Sequence, residues 1–205
     1  GGAQAMREPW RNTYAQLTGC FEWPALLSEF GDLPIVRLLQ KKPLATFDAM
    51  IEHGRNAPLT SSAGRLFDAV AAALGICTSQ SHYEGQAAIE MEACINKPLP
   101  REGYGFSLKD HVIDPCPMWW RLLRDLRDGV EQAEMAARFH AGFADALCTN
   151  ARALCQQHKI NTVALSGGVF QNKTLLTRCR QTLETAGLHV LGCSHGICPR
   201  AHLPQ

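Results

Sequence analysis

Leu165-Ser166-Gly167-Gly168-Val169-Phe170-Gln171-Asn172 is the stretch from which the fold can be read. Thr162-Val163-Ala164-Leu165 leads into it and reads as a short buried strand, because β-branched and apolar residues favour an extended, packed backbone. Ser166-Gly167-Gly168 is a tight turn, residues 172–186 recur at helical spacing up to Gly187, and residues 189–191 form a second strand. A strand, helix and strand in that order predict a parallel pair joined by a crossover. The carboxyl end of the first strand is where open α/β sheets bind ligands.

Upstream of this unit the chain reads as mostly helix. A long helix is predicted over 131–158, with Ala136, Phe139, Phe143, Leu147 and Leu154 on its buried face, and a shorter one over 118–126 ends at Arg127-Asp128-Gly129. Residues 96–117 contain four prolines and read as irregular, with a short strand over 104–108 and a turn at Asp114-Pro115. Residues 84–95 give another helix. Ser61 and Ser62 offer caps for a helix whose stripe is Leu66, Val70, Ala73 and Leu74, closed by Gly75. Residues 33–40 and 44–53 are short amphipathic stretches, and Trp10, Tyr14, Leu17 and Phe21 mark a first helix after a loose lead-in over 1–7. The fold class is a helix-rich α/β.

The composition supports a packed core. The 205 residues are 46% hydrophobic, and a chain of that length buries about 70% of its unfolded surface. A net charge of +1 gives no footprint for nucleic acid or an anionic membrane, and neither is expected as a partner. No apolar run is long enough to span a bilayer and no secretory pattern opens the chain, so a cytoplasmic location is expected. Nine cysteines in that setting read as reduced thiols without structural disulfides. The chain opens on Gly1-Gly2-Ala3, which suggests a piece of something longer.

Three places can hold chemistry. At Gly167 and Gly168 the missing side chains let a ligand reach the backbone, and the N–H groups opening the next helix favour anions. Asn172 has donors and an acceptor for a base or ribose, although a plain helix cap uses the same atoms. On the helix over 61–74, Ser61, Arg65, Asp68 and Ala72 share a face off the apolar stripe. Asp68 suits ribose hydroxyls, and Arg65 suits a phosphate or a carboxylate, while a solvated face with a surface ion pair explains the same pattern. Gly85, in Tyr83-Glu84-Gly85-Gln86, permits close approach at a helix start or serves an ordinary turn. Cys193-Ser194-His195-Gly196-Ile197-Cys198 has ligand types for zinc, but no paired Cys-x-x-Cys supports it, and no metal site is assigned. His140 and the cysteines Cys148 and Cys155 read as packing residues, and no nucleophile is assigned.

Four blocks in order, Glu8-Pro9-Trp10-Arg11-Asn12, the segment from Pro58 to Ala71, Tyr83-Glu84-Gly85-Gln86-Ala87-Ala88 and Leu165 to Asn172, resemble the HypF carbamoyltransferases of NiFe-hydrogenase maturation. The resemblance covers residues 8–191 and lies in the second half of their transferase domain. That domain is similar to the TsaD-type tRNA threonylcarbamoyl transferases and implies the second lobe of an actin and sugar-kinase-like ATPase fold, here as a fragment. It implies that Asp68, Gly85, Gly167, Gly168 and Asn172 bind nucleotide; Arg65 stays a candidate phosphate contact from its place on the helix face alone. It also implies ATP and carbamoyl phosphate as substrates by way of carbamoyl adenylate, and the C-terminal cysteine of HypE as acceptor. A divalent metal, zinc or iron, is expected only in the intact family domain, because the family's paired histidines lie upstream of the region covered here. The family continues past the last strand into an Asp-Gly-Gly turn, whereas this chain reads Gly192-Cys193-Ser194-His195. Residues 192–205 therefore read as an atypical tail from a shifted reading frame or an artificial end. A fragment inactive alone is expected, and the alternative is a non-catalytic module of the same fold that docks HypE or another partner.

Overall fold

In the computed structural model, which describes residues 2–54, 58 and 60–192, helices pack around one central helix and a parallel strand pair lies to one side. The helices are α1 (Ala3–Arg7), α2 (Trp10–Cys20), α3 (Trp23–Phe30), α4 (Pro34–Gln40), α5 (Leu44–Glu52), α6 (Ala63–Ala73), α7 (Gln86–Ala93), α8 (Cys116–Arg127), α9 (Gln132–His158) and α10 (Lys173–Thr185). The strands are β1 (Ser107–Lys109), β2 (Val112–Asp114), β3 (Thr162–Leu165) and β4 (His189–Gly192).

α6 is the centre. Ser62 caps it by accepting from the Arg65 N–H, and every residue from Leu66 to Ala73 is buried. Four alanines, at 69 and 71–73, let neighbours approach from all sides, so α6 is a core helix rather than one with a single buried stripe. α2 packs along it, and Thr13 Oγ1 donates to the Ala69 carbonyl across that contact at 2.8 Å. On another side Phe67 meets Phe139 and Phe143 of α9 edge to face.

α9 is unbroken over its 27 residues, and the extended segment ahead of β1 packs against it. There the backbones of Gly103 and Tyr104 press against Gly142, leaving no room for a Cβ at either glycine, and the Tyr104 N–H donates to the Arg138 carbonyl. The Tyr104 hydroxyl donates to the buried Asp125, which also pairs with Arg121 and Arg138. β1 and β2 form a hairpin whose turn residues, Asp110 and His111, both have positive φ.

β3 and β4 pair in parallel, in register from Thr162↔His189 to Leu165↔Gly192, as the spacing predicts. Of the four residues of β3 only Leu165 is buried, so the expected buried strand is half uncovered: among the described residues its sheet has two strands. Two other expectations change. Residues 3–7 are helical rather than loose, anchored by the Asn12 side-chain amide, which donates to the Ala5 carbonyl. Cys20 and Cys116 form a disulfide joining the end of α2 to the start of α8, where only reduced thiols were expected. Among the described residues no helix is long and apolar enough to cross a membrane.

Candidate functional site

A cavity of about 640 Å³ opens between α6, α7 and the turn after β3, within the size range of small-molecule sites. Arg65 and Asp68 come from α6; Glu84, Gly85, Ala88, Ile89 and Glu92 come from α7 and its approach; Gly168, Val169, Gln171 and Asn172 come from the turn. Five of the six residues singled out in the sequence therefore share one cavity. The sixth, Gly167, does not line it and has φ +100°, a conformation that glycine alone adopts freely, so it shapes the turn. Gly85, at φ +83°, turns the chain into α7 in the same way.

Asp68 is 3% exposed and lies 2.9 Å from the Arg65 guanidinium. On the face for which solvation was the alternative reading, Ser61 is exposed and Arg65 half-buried, while Asp68 and Ala72 are buried, because α6 is surrounded along its length. Burial, with Glu84 adding to it, raises the Asp68 carboxyl to about 6, and Arg65 offsets only part of that. The contacting atoms, Arg65 Nη1 and Asp68 Oδ2, are buried and lack a well-aligned hydrogen-bond partner. Of the two uses open to Arg65, pairing with a carboxylate is the one observed.

The start of α10 also differs from expectation. Its second N–H, from Thr174, is taken by Glu92 Oε1 at 2.7 Å, and its third, from Leu175, by Asn172 Oδ1 at 2.8 Å. A carboxylate already occupies the place where a phosphate was expected, since both answer the same positive helix end. Asn172 is thus the helix cap and is 8% exposed, so its side chain holds α10 as well as lining the cavity. Its Nδ2 lies 2.9 Å from Nε2 of His140, which is fully buried on α9 against Phe67.

Sequence reading missed Glu84, Glu92 and His140. The spacing of Gly85, Ala88, Ile89 and Glu92 at i, i+3, i+4 and i+7 is a legible helix face, but nothing local shows which face meets the cavity. His140 reads as a packing residue and is one, fully buried; its bond to Asn172 gave no signal, because that partner is 32 residues away.

Three carboxylates against one guanidinium make the lining acidic, which suits hydroxyl and amino donors better than a bare phosphate. Gly168 has ordinary φ, and a Cβ built there would meet nothing, so the space beside its Cα is open for a ligand. Among the described residues the one cluster with metal-ligand geometry is Cys20, Asp114 and Cys116, away from the cavity, and its two sulfurs are bonded to each other. Cys193, His195 and Cys198 lie outside the described residues.

Comparison with known proteins bears on this arrangement. The family of the carbamoyltransferase Kae1-like domain, second subdomain, matches residues 1–199. The chain belongs to that family. The match takes in residues 1–7 and runs past Leu191. The carbamoyltransferase HypF of Rhodobacter capsulatus is 39% identical over 194 residues, 94% of this chain and 24% of the relative. A HypF homologue of Cupriavidus necator is 36% identical over 93% of this chain and 49% of its own length. A crystal structure of full-length HypF in the phosphate- and nucleotide-bound form superposes with a TM-score of 0.80 at 29% identity, covering 93% of this chain and 24% of that one. The chain thus spans about a quarter to a half of the lengths of these relatives, and its helix-rich α/β fold is theirs.

Proposed function

We propose that the cavity binds the nucleoside end of carbamoyl adenylate, in a HypF-type carbamoyltransferase that uses ATP and carbamoyl phosphate and delivers the carbamoyl group to the C-terminal cysteine of HypE in hydrogenase maturation. The observation that carries this reading is the convergence of Arg65, Asp68, Gly85, Gly168 and Asn172, from three separate sequence blocks, on one cavity of ligand size. The solved relative with bound nucleotide and phosphate supports it.

The acidic lining gives the residues distinct work. Asp68 and Glu84 accept from ribose hydroxyls, Asn172 meets the base or ribose edge, and Gly168 lets the ligand lie against the backbone. Arg65 keeps Asp68 partly ionised and so ready to accept. The chemistry is attack of a thiolate on the carbamoyl carbon with loss of the nucleotide, so this chain needs no nucleophile of its own. Its contribution is to hold the reacting carbon in place, an effect that reaches about 7 kcal/mol when alignment is good.

Calorimetric titration with ATP and a non-hydrolysable carbamoyl-adenylate analogue tests the reading, with Gly168→Val as the probe. A Cβ at Gly168 meets nothing within 4 Å and the residue lines the cavity, so affinity is expected to fall at least about tenfold with the melting temperature nearly unchanged. Equal affinity in the variant, or no binding by the folded parent chain, would sink the assignment and favour a docking module.

A further inference from the structure

Asn172 works in two directions, and the atoms around it fix how. Its Oδ1 is 2.8 Å from the Leu175 N–H, which can only donate, so the oxygen faces α10 and the Nδ2 faces His140. His140 Nε2, 2.9 Å from Nδ2, must then accept. On the other side of the ring, Nδ1 lies 2.8 Å from the Ala136 carbonyl, which can only accept, so Nδ1 carries the hydrogen. Both contacts demand the neutral Nδ1–H tautomer. The surroundings agree: Phe67 and Phe139 stand edge-on to the ring at 5.2 and 5.8 Å, and burial holds its pKa below the ordinary histidine value. Glu92 on α7 is the carboxylate that pulls the other way, and it is engaged by the Thr174 N–H.

We propose that His140 is a positioning residue for the ligand, accepting one N–H of Asn172 and thereby orienting the second N–H of that amide for the molecule in the cavity. An amide has two N–H donors and an oxygen with two lone pairs. The cap consumes one lone pair and His140 one donor, which leaves Asn172 with one donor and one acceptor position for the cavity it lines. Without the histidine the amide is held only by its cap and can turn about its terminal torsion. The ligand would then have to order it. The tether also links the cavity to α9, an element that contributes no residue to its lining.

The inference rests on the nucleotide reading above, and its tests separate the two. Nitrogen-15 NMR of the chain with labelled histidine is expected to show His140 protonated at Nδ1 and bare at Nε2. The opposite tautomer, or an imidazolium at neutral pH, would overturn the inference while leaving the nucleotide reading intact. In ATP titrations His140→Phe keeps the aromatic packing but removes the acceptor, and about tenfold weaker binding is expected. His140→Gln restores an acceptor oxygen near the place of Nε2 and should recover most of the loss. Wild-type affinity in His140→Phe, or no recovery in His140→Gln, counts against positioning. Absence of binding by the parent chain would remove the nucleotide reading and this inference together. If His140→Phe fails to fold, the tautomer and the Gln variant decide.

Discussion

Asp68 shows how a residue's role is set by what surrounds its helix. Its carboxyl is raised from 3.8 to about 6, chiefly by burial, so between those values the folded chain keeps a proton that the unfolded chain has released. Stability from this group alone therefore falls as pH rises through that window, by up to about 3 kcal/mol. His140 acts oppositely: it is held neutral, so the unfolded chain takes up a proton first as pH falls below 6.5, and stability is lost there. Comparing Asp68→Asn with the parent cancels the histidine. The variant is expected to be the more stable at pH 8, by an amount reduced by the loss of the partner of Arg65, and to converge with the parent near pH 4. Urea melts across that range check it, and a gap that stays constant with pH would mean the carboxyl is not perturbed. The type and face of Asp68 were legible in the sequence. Its burial was not, because a 3.6-residue period shows which residues share a face but not how many faces are covered.

At the scale of elements, the local rules served well where they are local. The Ser62 cap, the Gly75 stop, the long α9 and the start of α10 follow from capping and periodicity. α3 was missed although Pro24 stands in its first turn, a position where proline starts helices. The hairpin of β1 and β2 was half seen: its turn uses Asp110 and His111 in the left-handed region, where glycine and asparagine give the usual signal. The crossing at Gly103 and Gly142 left no local signature, because a glycine in a helix needs its neighbour in space to explain it. Gly142→Ala would place a methyl inside the Tyr104 backbone, and a loss of about 3 kcal/mol or more is expected in denaturant melts. A loss below about 1 kcal/mol, the wrong size for a backbone clash, would show that the segment does not lie on α9 as described.

For the molecule as a whole, the Cys20–Cys116 disulfide closes a loop of 96 residues that includes α6, α7 and both cavity-lining stretches of the first half. Cross-linking so long a loop restricts the unfolded chain, an effect of about 4.7 kcal/mol in the entropic account. Cys20→Ser is expected to lower the urea midpoint accordingly and to make it insensitive to dithiothreitol, whereas the parent should move toward the variant on reduction. Identical midpoints for parent and variant without reductant would mean that the bond does not form. The cysteine count could not reveal the pair, since nine thiols allow many pairings and only the packing of α2 on α8 selects one.

Sequence alone determined the strand, turn and helix around Gly167 and Gly168, the family resemblance, and five of the residues that line the cavity, because these follow from local backbone chemistry and ordered motifs. Tertiary structure decided that Asp68 is buried, that Glu92 takes the Thr174 N–H at the start of α10, and that His140 holds Asn172. Each of those depends on groups far apart in the chain being desolvated together, and hydrogen-bond partners and burial are properties of the packed assembly of elements rather than of any one segment.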